Sequence, residues 1–229
     1  MTSSTISPPI LYSTAHDPNE PFAVPIGLDD WNEPVHEWLW HEEHGAHHQL
    51  VLHRPGCGAS NLLRVVARAA DHTNLMRVWA VDTTGARIAD PQAPGVEHVA
   101  TDFEDAAWML DSLHWALNAR RRRLRTDVLE LTADTPLWVL LVDQLRVLTR
   151  NKRTWLTFER LVDLGHNLGL VVVGADTSIL NAGPNLANNG QVLMLRRTDE
   201  PGVAEHRQPV TLDRISLNTV RVFHLPAST

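Results

Sequence analysis

The chain has 229 residues, 43% of them hydrophobic, with 20 basic and 27 acidic side chains and a formal net charge of −7. That hydrophobic fraction supports a sizeable core and excludes wholesale disorder, and the acidic balance weighs against a free-standing nucleic-acid binder, which is usually basic. The lone cysteine, Cys57, excludes an intramolecular disulfide and fits a reducing compartment.

Residues 1–22 carry Pro8, Pro9, Pro18 and Pro21 without a hydrophobic period and read as a flexible N-terminal arm. They lack the positive region and apolar core of a signal peptide. No apolar run approaches the roughly 20 residues that span a bilayer. The expectation is a soluble cytoplasmic protein without direct membrane insertion, built as one domain over residues 23–229. Within it, residues 23–48 form a small hairpin lead-in. In its second piece Val35, Glu37 and Leu39 alternate with His36, Trp38 and Trp40, a strand period. His41, His44, His47 and His48 follow and invite a metal-site reading, but His41-Glu42-Glu43-His44-Gly45 is not the helical H-E-x-x-H zinc motif, and a polar, solvated turn is expected.

Residues 49–63 then run from an apolar strand through Gly56 and Gly58 into an amphipathic helix over residues 60–70. That is the layout of a phosphate-binding loop, in which backbone N–H groups and a helix N-terminus cradle phosphates. Against G-x-x-x-x-G-K-[ST], Gly58 and Ser60 are kept, but His53 stands at the first glycine and Ala59 at the lysine. Lys152 is the only lysine in the chain, so none lies near the loop in sequence. Cys57, near a helix N-terminus, is either a reactive thiol or a small residue tolerated in the loop.

A strand over residues 77–81 delivers Asp82, and Thr101-Asp102-Phe103-Glu104 reads as a capping box opening a long helix. That helix ends in Arg120, Arg121, Arg122, Arg123 and Arg125. The run is either a candidate DNA or acidic-partner contact or a set of cations favoured by a helix C-terminus. Residues 137–142 form the apolar strand of a parallel sheet and deliver Asp143. A helix over 154–168, a strand over 169–174, a loop over 181–190 and a strand over 192–195 follow, and residues 210–225 are expected to close the sheet edge. Alternating strands and helices make the chain α/β with a mostly parallel sheet flanked by helices.

The order of these elements resembles the FtsK/SpoIIIE-type (HerA-like) DNA-translocating ATPases, with the plasmid-transfer and type VII secretion ATPase modules related to them, over most of residues 24–200. Val24-Pro25-Ile26-Gly27-Leu28-Asp29 is similar to the family's "P-[IL]-G-x-D" lead-in, and the run from Gly56 to Arg64 is similar to "G-S-G-K-S-N-L-L-R". Val81-Asp82-Thr83-Thr84-Gly85 stands where "I-D-P-K-G" is common, and the strand ending in Asp143-Gln144 where an Asp-Glu pair closes the Walker B strand. Residues 172–178 stand at "V-V-x-A-T-Q-R".

The resemblance implies a RecA-like P-loop NTPase fold. It places a nucleotide on Gly56, Cys57, Gly58, Ala59, Ser60 and Asn61, with Mg²⁺ on Ser60 and Asp143. It also implies ring-forming homo- or hetero-oligomers with FtsK-like subunits, with DNA as a candidate partner. The chemistry-bearing positions depart from the pattern together: Ala59 for the lysine that neutralises β/γ-phosphate charge, Gln144 for the Walker B glutamate, Thr177 for the sensor glutamine, and Thr84 for the "D-P-K" lysine. Asp176 beside Thr177 has no partner identifiable in sequence. The reading is therefore a non-hydrolysing pseudo-ATPase, a scaffold or regulatory subunit binding ATP/Mg²⁺ with reduced affinity. One alternative is an active or weakly active DNA translocase with Arg54 or Arg64 in the lysine's place. Another is a DNA- or partner-binding module using the arginine run.

Overall fold

The computed structural model describes residues 19–28, 31–124, 128–189, 191–195, 203–207 and 217–222. Most of the expected arm (1–18), Arg125 and much of the 210–225 tail lie outside the described residues. In chain order the elements are β1 (Ala23–Leu28), β2 (Pro34–Trp38), β3 (Trp40–His41), β4 (Gly45–Ala46), β5 (Gln49–His53), α1 (Ala59–Ala70), β6 (Met76–Val81) and β7 (Val96–Ala100). Then come α2 (Phe103–Arg123), β8 (Leu137–Asp143), α3 (Lys152–Leu168), β9 (Leu170–Asp176), α4 (Gly183–Asn189), β10 (Gln191–Leu195), β11 (Val203–Arg207) and β12 (Leu217–Val222).

Among the described residues one sheet runs β2-β1-β12-β11-β10-β5-β9-β8-β6-β7. The strands from β10 to β7 are all parallel, while β1, β2, β11 and β12 add antiparallel pairs. The strand period of two splits the core into layers. Val139, Leu141, Val171 and Val173 point to the α1 side, and Leu140, Val142, Leu170 and Val172 to the side of α2, α3 and α4. Burial on both faces explains why β8 and β9 read as near-continuous apolar runs.

Several expectations change. The expected lead-in hairpin is formed by β1 and β2, and β1 also pairs with β12, which joins it to the main sheet. The alternation over 35–40 breaks after Trp38, because Leu39 and Trp40 are both buried and Trp40 begins the small β3–β4 hairpin. β12 lies between β1 and β11, inside the sheet and not at its edge. The cap of α2 is Asp102 and not Thr101, its side chain accepting from the Asp105 amide. The expected loop over 181–190 contains α4. Pro184 in its first turn has no N–H to lose, the Asn185 amide donates to Glu159 on α3, and Leu186 is fully buried. Burial raises the Glu159 carboxyl above the usual carboxylate range, and the Asn185 amide opposes that rise.

Two polar side chains tie the layers together. Arg120 is not part of an exposed patch. Its guanidinium lies 3.4 Å from the centroid of the Trp138 ring and donates to the carbonyls of Leu168, Gly169 and Pro136 at 3.1, 3.0 and 2.7 Å. The first two lie at the C-terminus of α3, where a cation is favoured, and the Gly169 carbonyl also accepts the Trp138 amide at 2.8 Å. Burial lowers its pKa to about 10, which leaves it charged at neutral pH. His48, expected in a solvated turn, is buried. One ring nitrogen lies 2.8 Å from the Val162 carbonyl and the other accepts from the Val172 amide, so the ring is neutral and joins α3 to β9.

Replacing Arg120 by Ala is expected to cost about 2–4 kcal/mol in denaturant unfolding, because carbonyls that it satisfies lose their donor. Arg120→Lys should recover less than half, since an ammonium cannot reach three carbonyls while stacking on the ring. A second outcome follows from His48. Burial, opposed by the Val162 carbonyl and helped by His166 and His47, holds its pKa at about 4 against 6.5 unfolded. Between those values the unfolded chain binds the extra proton, so stability is fully present above pH 6.5 and declines as pH falls towards 4. His47 is shifted the same way, by burial first and then by His166, His41 and His44. Unfolding midpoints measured across that interval should fall steeply in the native protein and less steeply in His48→Gln.

Candidate functional site

The site lies where the parallel strands end. β5 runs one residue further than a phosphate loop's first glycine would suggest: His53 still pairs with Leu195 of β10. The chain then turns through residues 54–58, with Gly56 at φ 81° and Gly58 at φ 89°. Both lie in the left-handed region, where a Cβ is strained. Gly58 caps α1, and its carbonyl accepts the Leu62 amide at 3.0 Å. The backbone shape of the loop is thus retained on the two glycines. Ala59 opens α1 and is 4% exposed, part of the core with Leu62 and Leu63. Cys57 belongs to the same apolar cluster.

Three carboxylates meet the loop at the ends of neighbouring strands: Asp82 after β6, Asp143 on β8 and Asp176 on β9, exposed by 4, 3 and 1%. A charge so buried needs partners. Asp176 has them: the amides of Thr177 and Ser178 and the side-chain amide of Asn181 in the turn that follows, and the Arg146 amide in the turn after β8, at 2.7–3.2 Å. It holds that turn in place, and Thr177 beside it is drawn onto the same carboxylate. Asp82 accepts from the Ala86 and Ile88 amides at 2.9 and 3.1 Å, which shapes the loop after β6.

Asp143 is held by hydroxyls. Ser60 Oγ donates to one carboxylate oxygen at 3.3 Å and Thr84 Oγ1 to the other at 2.6 Å. Thr84 also lies 3.3 Å from Asp82 Oδ1. A hydroxyl has one proton, and the shorter contact assigns it to Asp143. Gln144 sits at φ 67°, and its side-chain oxygen accepts both Nε and a terminal nitrogen of Arg146, at 3.3 and 2.9 Å. Of the two arginines near the loop, Arg54 is exposed, whereas Arg64 folds back along α1 and donates from Nε to the Ser60 carbonyl at 3.4 Å.

The residues expected to form the site are therefore gathered in part. Gly56, Gly58, Ser60, Asp143, Gln144 and Thr84 lie around one strand-end edge. Arg120 does not contribute, being used inside the fold, while Arg121, Arg122 and Arg123 are exposed at the end of α2. Sequence reasoning missed that Thr84 bonds Asp143, because the register of a loop after β6 carries no periodic signal. It also missed Arg146, which stands two residues after Gln144 and signals only by that spacing.

No protein-family model matches the sequence, and no curated protein does. Solved structures match in fold. The chain superposes on the cytoplasmic domain of the Thermomonospora curvata type VII secretion ATPase EccC with a TM-score of 0.72 at 17% identity, over 95% of this chain and 28% of that one. EssC (ATPases 2 and 3) from Geobacillus thermodenitrificans gives 0.69 at 15% identity, over 96% and 48%. The pCW3 conjugation coupling protein TcpA, in its monomer form with ATPγS, gives 0.71 at 11% identity, over 94% and 69%. The chain thus spans less than half the length of the two secretion proteins. Its fold is the RecA-like P-loop NTPase fold of these FtsK/SpoIIIE-type modules. Among the described residues no helix is long and apolar enough to cross a membrane.

If the Thr84 hydroxyl holds Asp143, Thr84→Val should lower stability by about 1–2 kcal/mol by leaving a buried carboxylate oxygen unpaired. Thr84→Ser, which keeps the hydroxyl, should lose clearly less. Denaturant midpoints of the two variants check this, and equal midpoints would refute the assignment.

Proposed function

We propose that this domain is an FtsK-like P-loop module that no longer hydrolyses ATP and serves a DNA-transfer or secretion assembly as a scaffold or regulatory subunit. One observation carries the reading: the lysine position is a buried alanine, Ala59, while the carboxylate that would support the metal, Asp143, is already satisfied by Ser60 and Thr84. Hydrolysis in this fold class needs phosphate charge offset and an attacking water positioned. Ala59 offers no charge, and Gln144 accepts no proton and is engaged with Arg146.

The residues present fit a magnesium nucleotide only in part. Ser60 and Asp143 are a hydroxyl and a carboxylate side by side, suited to hold Mg²⁺. Gly56, Cys57, Gly58, Ala59, Ser60 and Asn61 would hold phosphates through backbone N–H groups and the N-terminus of α1. Bound Mg²⁺ would supply charge neutralisation across the phosphate oxygens. The chain's own contribution is binding and orientation, at an affinity reduced by the missing lysine. Homo- or hetero-oligomers with FtsK-like subunits fit a domain that keeps its framework without its catalytic charges. The exposed Arg121, Arg122 and Arg123 are the surface left for DNA or an acidic partner.

One contact favours a second reading, residual ATPase activity: Arg64 already reaches back to the Ser60 carbonyl in the first turn of α1. The two readings separate in one set of measurements. On the first reading the protein should show no Mg²⁺-dependent ATP turnover, and Mg-ATP should raise its melting temperature only at high concentration. Ala59→Lys should tighten ATP at least about tenfold, equivalent to roughly 1.4 kcal/mol. Turnover by the native protein that is abolished by Asp143→Ala, and by Arg64→Ala, would replace the first reading with the second.

A further inference from the structure

The turn of the β3–β4 hairpin carries chemistry that the nucleotide site does not use. His41 ends β3, Gly45 begins β4, and the two pair across the hairpin. The His44 amide donates to the His41 carbonyl at 3.2 Å, which folds residues 41–44 into a tight turn. One ligand-type atom from each of His41, Glu43 and His44 then lies within 4.8 Å of the others. The two imidazoles face each other, with centroids 4.8 Å apart and planes 20° from parallel. All three side chains are exposed.

The base of the hairpin is fixed even though its tip is in water. Trp40 and Ala46 are buried, and His166 of α3 lies with its Nδ1 2.9 Å from the Ala46 carbonyl. Gly45 has φ 77°, and a Cβ there would run into the His166 carbonyl oxygen. The backbone that presents His41, Glu43 and His44 is therefore held against α3, and only the side chains must adjust to bring their donors together.

We propose that this turn is a binding site for a borderline divalent transition-metal ion, represented by Zn²⁺, with His41, Glu43 and His44 as ligands and water completing the coordination. Two imidazole nitrogens and one carboxylate oxygen are a donor set that zinc accepts. Mg²⁺ and Ca²⁺ prefer oxygen ligands throughout. The competing interaction is weak. His41 Nδ1 accepts the Glu43 amide at 3.2 Å in an exposed position. A neutral imidazole has one lone pair, so ligation at either nitrogen ends that bond, and the freed amide turns to water at little cost. The turn precedes β5 and packs at the C-terminal end of α3, whereas the phosphate loop follows β5. The ion is thus separate from any magnesium held by Ser60 and Asp143, and its effect is to clamp the hairpin that β5 grows from.

Calorimetric titration of untagged protein with ZnCl₂, followed by melting with and without EDTA, tests the site. One ion should bind per chain, with a higher melting temperature that EDTA reverses and that Mg²⁺ does not reproduce. His41→Gln or His44→Gln should weaken Zn²⁺ at least about tenfold, Glu43→Gln less, and His72→Gln, an exposed histidine elsewhere, not at all. Because the substituted side chains are exposed, circular dichroism should show each variant folded. No binding by the native protein, or one-to-one binding that survives the His41→Gln/His44→Gln double substitution, would overturn the proposal.

Discussion

Parallel pairing puts the carboxyl ends of β6, β8 and β9 on one edge of the sheet, beside the turn that leaves β5. The candidate nucleotide site follows from that constraint. The same edge receives the N-terminus of α1 and three strand-end carboxylates, each almost wholly buried. In a working phosphate site such negative charge is balanced by a lysine and a metal. Here the compensation comes from the chain itself: amides for Asp82 and Asp176, hydroxyls for Asp143. These bonds satisfy the buried carboxylates without a cation.

This bears on how the departures at Ala59, Gln144, Thr84 and Thr177 belong together. Lysine at 84 would place a cation beside Asp82 and Asp143, whereas threonine there donates one short bond. Thr177 is held against Asp176, and Gln144 is held against Arg146. At these three positions the replacing hydroxyl or amide makes a local bond, whereas the methyl of Ala59 makes none. Thr84, Gln144 and Thr177 thus leave no unpaired side chain, whereas His53, at the loop's first-glycine position, keeps a buried Nε2 without a partner among the described residues.

The sequence made the central strands legible because burial on both faces turns β8 and β9 into apolar runs, and it made α1 legible through its period and its flanking glycines. It could not show where single polar residues point. Arg120 and Arg121 are adjacent and chemically identical, yet one lies inside against Trp138 and the other in solvent. The helical phase that decides between them depends on where α2 packs against α3. His48 follows three other histidines of a polar-looking run, and only the three-dimensional approach of Val162 and Val172 gives both its nitrogens partners. Thr84 and Asp143 are 59 residues apart and meet through loop geometry alone.

The two ends of β5 thus do different physical work. At its carboxyl end the chain turns on glycines whose backbone shape survives without the lysine, because strain at φ 81° and 89° is a matter of sterics and not of charge. At its amino end His48 and Arg120 hold α3, β8 and β9 in register through charge and hydrogen bonding. The residues at the phosphate-loop positions are therefore not the ones that hold the layers together. On the proposed reading, such a framework keeps its shape whatever stands at the lysine position, which is the physical condition for a scaffold.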